Sequence, residues 1–284
     1  MHDTYEELRR AYADGTKTLN DDEYIGENGL PYCKLCNTPK WTVLQNDIVV
    51  PIACKHIQDE RDREHAEYER QKRYDAFILR QNASMLGNRY KAVTFDKARI
   101  TDNNRRSYEK CRTYADKAAD MLKNNVGLYI YGGNSTGKTY LSACLCNALM
   151  WSGYSCLSTS LANILIEILS KDSNSLGEAE IFRRLEYSSF VFIDDLGKEF
   201  IGRTYNSSRA VWAEEKLFEV INKRYNAQMP TIFTSNYSVN DLKTLNLDSG
   251  IIDRIIEMST VVLKLDGENF RNDNRDKTRQ ANIL

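Results

Sequence analysis

The chain has 284 residues, 28% of them charged, with a formal net charge of −1. That length holds one large domain or two smaller ones. The balanced charge gives no global sign of nucleic-acid binding, although 39 Lys and Arg leave room for a local basic surface. No apolar run approaches a membrane span, and the first residues, MHDTYEELRR, lack the apolar core of a signal peptide. The seven cysteines are odd in number and scattered, so a cytoplasmic, reducing setting is expected.

Cysteine placement is uneven. Cys33 and Cys36 form a C-x-x-C, and Cys54 and His56 follow as C-x-H. Three thiolates and an imidazole are the ligand set of a tetrahedral structural Zn²⁺ site. Trp41–Leu44 and Ile48–Val50 suit a hairpin that brings the two pairs together. A region this small has little core, so bound zinc would supply much of its folding free energy. Unrelated free thiols are the alternative. A redox pair is a third reading, but no thioredoxin-like strand–helix unit surrounds it. Next, Asp59–Asp75 is dense in both charge signs and predicts a solvated helix, with pairs such as Glu69→Arg73. It reads as a linker or as an arm that touches a partner. Phe77–Leu79 and Met85–Leu86 beyond it supply docking groups. His2 and His65 carry no motif and are expected at the surface.

From about residue 86 strands alternate with helices, which predicts an α/β fold with a parallel sheet flanked by helices. Arg89–Phe95 precedes a helix from about Asn103 to Leu122. The apolar strand Leu128–Tyr131 then leads into GGNSTGKT, Gly132 to Thr139, and a helix over Tyr140–Met150. The run fits the phosphate-loop pattern Gly-x-x-x-x-Gly-Lys-Thr. The backbone N–H groups of Gly132, Gly133, Asn134, Ser135, Thr136 and Gly137, with the helix start at Lys138–Tyr140, suit nucleotide phosphates. Lys138 would reach the β- and γ-phosphates, and the Thr139 hydroxyl would sit on Mg²⁺. A chance match in a loop is opposed by the flanking strand and helix.

Tyr154–Ser158 predicts a second strand and Leu161–Leu169 an amphipathic helix. Phe190–Asp195 reads as a central strand that delivers two carboxylates to its C-terminal end, the edge where α/β sheets bind ligands. Asp194 suits Mg²⁺ held through water, and Asp195 suits activation of an attacking water. Without the upstream loop, two turn-favouring aspartates would be the simpler reading. Leu217, Phe218 and Ile221 share one face of a helix over Trp212–Tyr225 and are expected in the core. Thr231–Ser235 predicts a further strand, and Asn236 after it suits a hydrogen bond to the γ-phosphate or the attacking water.

The motif order Tyr-x-Gly-x4-Gly-Lys-Thr-Tyr-Leu, Phe-Ile-Asp-Asp-Leu-Gly, Asn-Lys-Arg-Tyr-Asn, Thr-Ser-Asn, Asp-Arg-Ile, Glu-Asn-Phe-Arg resembles the bacterial and phage replicative helicase loaders of the DnaC/DnaI type over about residues 86–271. These are AAA+ ATPases close to the initiator DnaA and the transposition helper IstB. The Cys/His cluster is similar to the zinc-binding domain that precedes the ATPase in DnaI-type loaders, whose pattern usually ends in C-x-C where His56 stands here. The resemblance implies that Arg254 is the arginine finger completing a neighbouring subunit's ATP site, where a planar, always-charged guanidinium suits the γ-phosphate. It implies that Arg271 is the sensor-2 arginine that contacts nucleotide in its own subunit. Surface ion pairing is the plainer reading of each.

Three departures from the family stand out. Asp195 replaces the usual Glu, which predicts slow hydrolysis. Ser135 replaces a frequent glycine, tolerable if its φ is negative. Gly250 stands where some loaders carry a second Arg. Single-stranded DNA is expected on Ser170–Arg184 or Gly197–Arg209, with Lys198, Arg203 and Arg209 for phosphates and Phe200 and Tyr205 for bases. Solvated loops are the alternative.

The implied organisation is a zinc- and partner-binding domain over 1–58, a charged linker over 59–85, an AAA+ ATPase over 86–271 and a polar tail over 272–284. The implied function is ATP-dependent loading of a DnaB-type hexameric helicase onto single-stranded DNA, with ATP/ADP, Mg²⁺ and Zn²⁺ as cofactors and self-assembly through AAA+ interfaces. An IstB-like transposition helper and a non-hydrolysing, nucleotide-locked adaptor are the rivals.

Overall fold

Thr4 opens the first helix, α1 (Tyr5–Ala13), with a capping box: its hydroxyl accepts from the Glu7 N–H, and the Glu7 carboxylate accepts from the Thr4 N–H. The computed structural model describes residues 3–169, 177–197, 208–244 and 248–266. The chain divides into two units, Met1–Arg73 and Tyr74–Leu284.

In the first unit α1 lays Leu8 against Leu30 and Val49, with Tyr5, Tyr12 and Trp41 around them. Two antiparallel ribbons follow. β1 (Glu23–Ile25) pairs with β2 (Pro31–Cys33), and β3 (Trp41–Val43) pairs with β4 (Val49–Pro51). The second ribbon is the hairpin that the apolar stretches predict. Three fully buried apolar side chains supply about 1.5–3 kcal/mol each, little for a unit of this size. α2 (Lys55–Ala83) starts directly after Cys54 and contains the whole charged stretch. Glu69 meets Lys72 at 4.0 Å, and His65 is exposed, as expected.

In the second unit the expected helix over Asn103–Leu122 is two helices, α3 (Asp102–Asp116) and α4 (Ala118–Lys123), parted where Lys117 leaves helical geometry. Then come β5 (Leu128–Tyr131), α5 (Lys138–Trp151), β6 (Cys156–Ser160), α6 (Leu161–Leu169), α7 (Gly177–Tyr187), β7 (Phe190–Leu196), α8 (Ser208–Ala227), β8 (Thr231–Ser235), α9 (Ser249–Met258) and β9 (Val261–Lys264). The strands form one parallel sheet in the order β6-β7-β8-β5-β9. Alternation along β5 sends Leu128 and Ile130 into the core with α3 and α5, and Tyr129 into the opposite core with α6 to α9. Both faces are therefore covered, and function is left to the strand ends. Among the described residues no helix is long and apolar enough to cross a membrane.

Two local findings correct the expectations. Ser135 has φ +64°, in the left-handed region, so the condition under which it would replace glycine without strain is not met. The loop curls there, at a cost of about 1–2 kcal/mol for a residue with a Cβ. Phe218 is not core. Leu217 and Ile221 are fully buried, whereas Phe218 is 38% exposed and carries a guanidinium on its ring.

A buried arginine ties the second unit together. Arg224 of α8 is 0% exposed, and all the acceptors that the structure gives it are neutral. Nη1 donates to the carbonyls of Leu185 at 2.9 Å and Ser188 at 2.8 Å, just where α7 ends. Nη2 donates to Pro230 O at 2.7 Å, and Nε to Thr231 Oγ1 at 3.3 Å, at the start of β8. Burial pushes its pKa down to about 9, so the side chain is still charged at neutral pH. An unpaired buried carbonyl costs about 1–3 kcal/mol. Arg224→Met, which strands the carbonyls of Leu185 and Ser188 and leaves Pro230 O only the Val191 N–H, should lower stability in urea denaturation by about 2 kcal/mol or more. A loss below about 1 kcal/mol would contradict the role given to this side chain. Ser135→Gly should raise stability by about 0.5 kcal/mol, the relieved strain less the added freedom of the unfolded chain; a lowered stability would contradict the strain.

Candidate functional site

β5 ends on Tyr131, and the glycine loop begins under tight steric limits. A Cβ on Gly132 would lie 2.2 Å from Leu265 O, so no side chain fits there. Gly137, at φ +95°, turns the chain into α5. Lys138, buried, donates to the carbonyls of Gly132 at 3.0 Å and Gly133 at 2.7 Å, which holds its ammonium against the loop. The Thr139 hydroxyl stands 3.0 Å from both carboxylate oxygens of Asp194. The loop and the acidic strand, far apart in sequence, meet at that contact.

β7 and β8 pair regularly up to Ile193 and Phe233, then resume at Leu196 and Ser235. Between those pairs Asp194 and Asp195 face Thr234 alone, which is a β-bulge. Asp195 carries the strain, at φ +57°. In a regular strand neighbouring side chains point to opposite faces. Here Asp194 and Asp195 both line one cavity of about 420 Å³, together with Thr139, Ser142, Ser158, Thr159 and Asn163. Burial raises the Asp194 pKa, and the hydroxyls of Thr234 and Thr139 oppose that rise. A carboxylate and a hydroxyl at this spacing are hard oxygen donors of the kind that suit Mg²⁺. Asn236 follows Ser235, which pairs with Tyr131 and accepts from the Gly132 N–H at 3.3 Å, so Asn236 stands beside the loop. The sequence reading assigned Asn236 and passed over Thr234. Thr231 and Ser235 in the same strand also carry hydroxyls, so residue type alone gave no signal for Thr234.

Arg254 belongs to another cluster. Its guanidinium lies 5.0 Å from the Phe218 ring and 5.7 Å from the Tyr225 ring, both on α8. Nη1 donates to Gly250 O at 3.0 Å, and Nε is buried without a hydrogen-bond partner. The Tyr225 hydroxyl in turn donates to Glu257 at 3.0 Å. Arg183 and Arg184 both pair with Glu180 at 2.7 Å and hold its pKa down to about 2. Arg271, Lys198, Arg203, Phe200 and Tyr205 lie outside the described residues, as does the side chain of Arg209.

In the first unit β2 ends on Cys33, a turn returns Cys36, and His56 sits on the first turn of α2, two residues after Cys54. The four ligand atoms lie within 4.8 Å of one another. His56 Nδ1 is 3.2 Å from the sulfurs of Cys33 and Cys54 and 3.5 Å from that of Cys36. Zinc at about 2.3 Å from sulfur and about 2.0 Å from nitrogen has S–N edges of about 3.5 Å in a tetrahedron. The four donors therefore fit one tetrahedral ion, with Nδ1 as the imidazole donor. The Thr38 hydroxyl, 2.9 Å from Cys36 Sγ, and then His56 pull the Cys36 thiol down to about 5, whereas burial pushes Cys54 up.

Comparison with known proteins bears on the fold and the family. The replicative helicase loader DnaI of Bacillus subtilis (strain 168) is 27% identical over 194 residues, covering 63% of this chain and 58% of that protein. The replicative helicase loader DnaC of Escherichia coli (strain K12) is 23% identical over 148 residues, covering 51% of this chain and 55% of that protein. The chain thus spans little more than half the length of these relatives. A crystal structure of the DnaC helicase loader shares the fold with a TM-score of 0.50 at 21% identity, covering 63% of this chain and 100% of that one. The model of the IstB-like ATP binding proteins matches residues 62–278. With a P-loop, an acidic strand and a parallel five-stranded sheet of the AAA+ kind, the chain belongs to the IstB-like ATP binding family.

Proposed function

We propose that this chain is a cytoplasmic ATPase that loads a DnaB-type hexameric replicative helicase onto single-stranded DNA. The observation that carries the ATPase is the meeting of Lys138, Thr139, Asp194 and Asp195 at one strand edge, with both carboxylates lining one cavity. The names of the DnaI and DnaC relatives support the loader. Backbone N–H groups of Gly132–Gly137 and the start of α5 bind the phosphates of ATP. Lys138 moves from the loop carbonyls to the β- and γ-phosphates. Thr139 and Asp194 would hold Mg²⁺. Bound Mg²⁺ neutralises charge on the transferred phosphoryl group. Asp195 accepts the proton of the attacking water, and its side chain, shorter than Glu, makes turnover slow. Asn236 orients the water or the γ-phosphate.

Arg254 reaches the nucleotide of a neighbouring copy, and Arg271 the nucleotide of its own. Zn²⁺ on Cys33, Cys36, Cys54 and His56 makes residues 1–58 a rigid surface for the helicase, 59–85 is the linker, 86–271 the ATPase and 272–284 a tail without an assigned role. Lys198, Arg203 and Arg209 meet DNA phosphates. ATP favours one assembly state over another, and ADP after hydrolysis reverses the preference. The family model bears the IstB name, which favours a transposition helper as the second reading.

Lys138→Ala should lower steady-state ATP turnover at least about 100-fold. Wild-type turnover no higher than that of the variant, with and without single-stranded DNA, would make the chain a non-hydrolysing adaptor. The protein should carry zinc by metal analysis and lose it in Cys33→Ser; an unchanged zinc content would rule out the ligand set. Co-purification with a replicative helicase should disappear when residues 1–80 are removed. Retained binding would overturn the role of the first unit, and no binding by the full chain would favour the transposition reading.

A further inference from the structure

The bulge in β7 poses a hydrogen-bonding problem that one side chain solves. Two residues, Asp194 and Asp195, face one residue of β8, so the regular ladder fails there. The Asp195 N–H donates instead to Thr234 Oγ1 at 3.0 Å. The same hydroxyl donates its proton to Asp194 Oδ1. Thr234 is 1% exposed, so bulk water cannot take over either bond. A hydroxyl is suited to both at once, because it has one proton to give and lone pairs to receive. Ser235 adds a second stitch past the bulge, donating to Leu196 O at 2.7 Å.

We infer that Thr234 is a positioning residue, which fixes the Asp194 carboxylate against Thr139 and locks the Asp195 backbone so that both carboxylates face one cavity. This rests on the proposed ATPase reading. Thr234 touches neither nucleotide nor metal in this account and acts through the two aspartates. Removing its hydroxyl takes the acceptor Thr234 Oγ1 from the Asp195 N–H and leaves Asp194 held by the Thr139 hydroxyl without the tie to β8. Lys138, the glycine loop and the start of α5 are untouched, so phosphate binding without metal should survive. What should suffer is the part of binding and turnover that needs the carboxylates in register.

The test compares Thr234→Val, nearly the same shape without the hydroxyl, with Thr234→Ser, which keeps it. Affinity for a fluorescent ATP analogue is measured with Mg²⁺ and with EDTA, beside kcat and KM. For Thr234→Val we expect wild-type affinity in EDTA, a loss of about tenfold or more in the gain that Mg²⁺ confers, KM for Mg²⁺–ATP raised by the same factor because turnover is slow, and kcat lowered about tenfold, the size of one lost hydrogen bond to a charged group. Thr234→Ser should restore both. A general structural role would instead weaken binding equally with and without Mg²⁺. That result, a wild-type Mg²⁺ gain in the valine variant, or a serine variant as impaired as valine would overturn the inference. If valine does not fold, Thr234→Ala replaces it in the same comparison. If wild type binds Mg²⁺–nucleotide but shows no turnover, the hydrolysis reading fails, while the binding comparison still decides the role of Thr234.

Discussion

Burial of the Asp194 carboxylate constrains everything around it. A charge taken out of water is tolerated only with hydrogen bonds and opposite charge close by. Two hydroxyls reach Asp194, one from the helix after the glycine loop and one from the neighbouring strand. The ammonium of Lys138 adds a favourable field. The loop, the acidic strand and β8 are thereby held to one another through a single side chain. The parallel sheet makes this possible, since it aligns the C-terminal ends of β5, β7 and β8 on one edge. The bulge then spends regular pairing to turn a second carboxylate toward the same cavity.

The first unit follows a different logic. Its apolar core is too small to order the chain around it. Cysteine and histidine donors converge from the end of one strand, the turn after it and the first turn of α2, elements with no apolar reason to meet. A bound ion would be the cross-link that the core lacks. In the second unit Arg224 performs a comparable task with hydrogen bonds, gathering the carbonyls at the end of α7 and the start of β8.

What was legible in the sequence was local. The glycine loop, the apolar strand before it, the acids ending β7 and the Cys/His spacing are set by neighbours along the chain, and the structure places them in the expected elements. What was hidden depends on register between distant segments. Nothing in Thr231–Ser235 says that its fourth residue will face a bulge, because the bulge exists only once β7 and β8 are paired. Phe218 was misplaced because helical spacing assigns it to the face of Leu217 and Ile221, whereas Arg254, from a helix further along, covers its ring. Arg224 belongs to the Asn-Lys-Arg-Tyr-Asn run, and its residue types do not say that this side chain turns inward. The sign of φ at Ser135 follows from the curl of the loop as a whole, which a residue type alone does not specify. The helix α7 and the edge strand β9 lacked motifs strong enough to announce them, and the Asp-Arg-Ile run of α9 was read for Arg254 without a helix around it.

In the proposed function the edge formed by Thr139 and Asp194 binds nucleotide together with a divalent cation. Calorimetric titration of ATP into the wild type and into Asp194→Asn, each with Mg²⁺ and with EDTA, tests it most directly. Mg²⁺ should tighten binding to the wild type by about tenfold or more, and the asparagine variant should keep the affinity measured in EDTA but lose the Mg²⁺ effect. An equal Mg²⁺ effect in both proteins would contradict it.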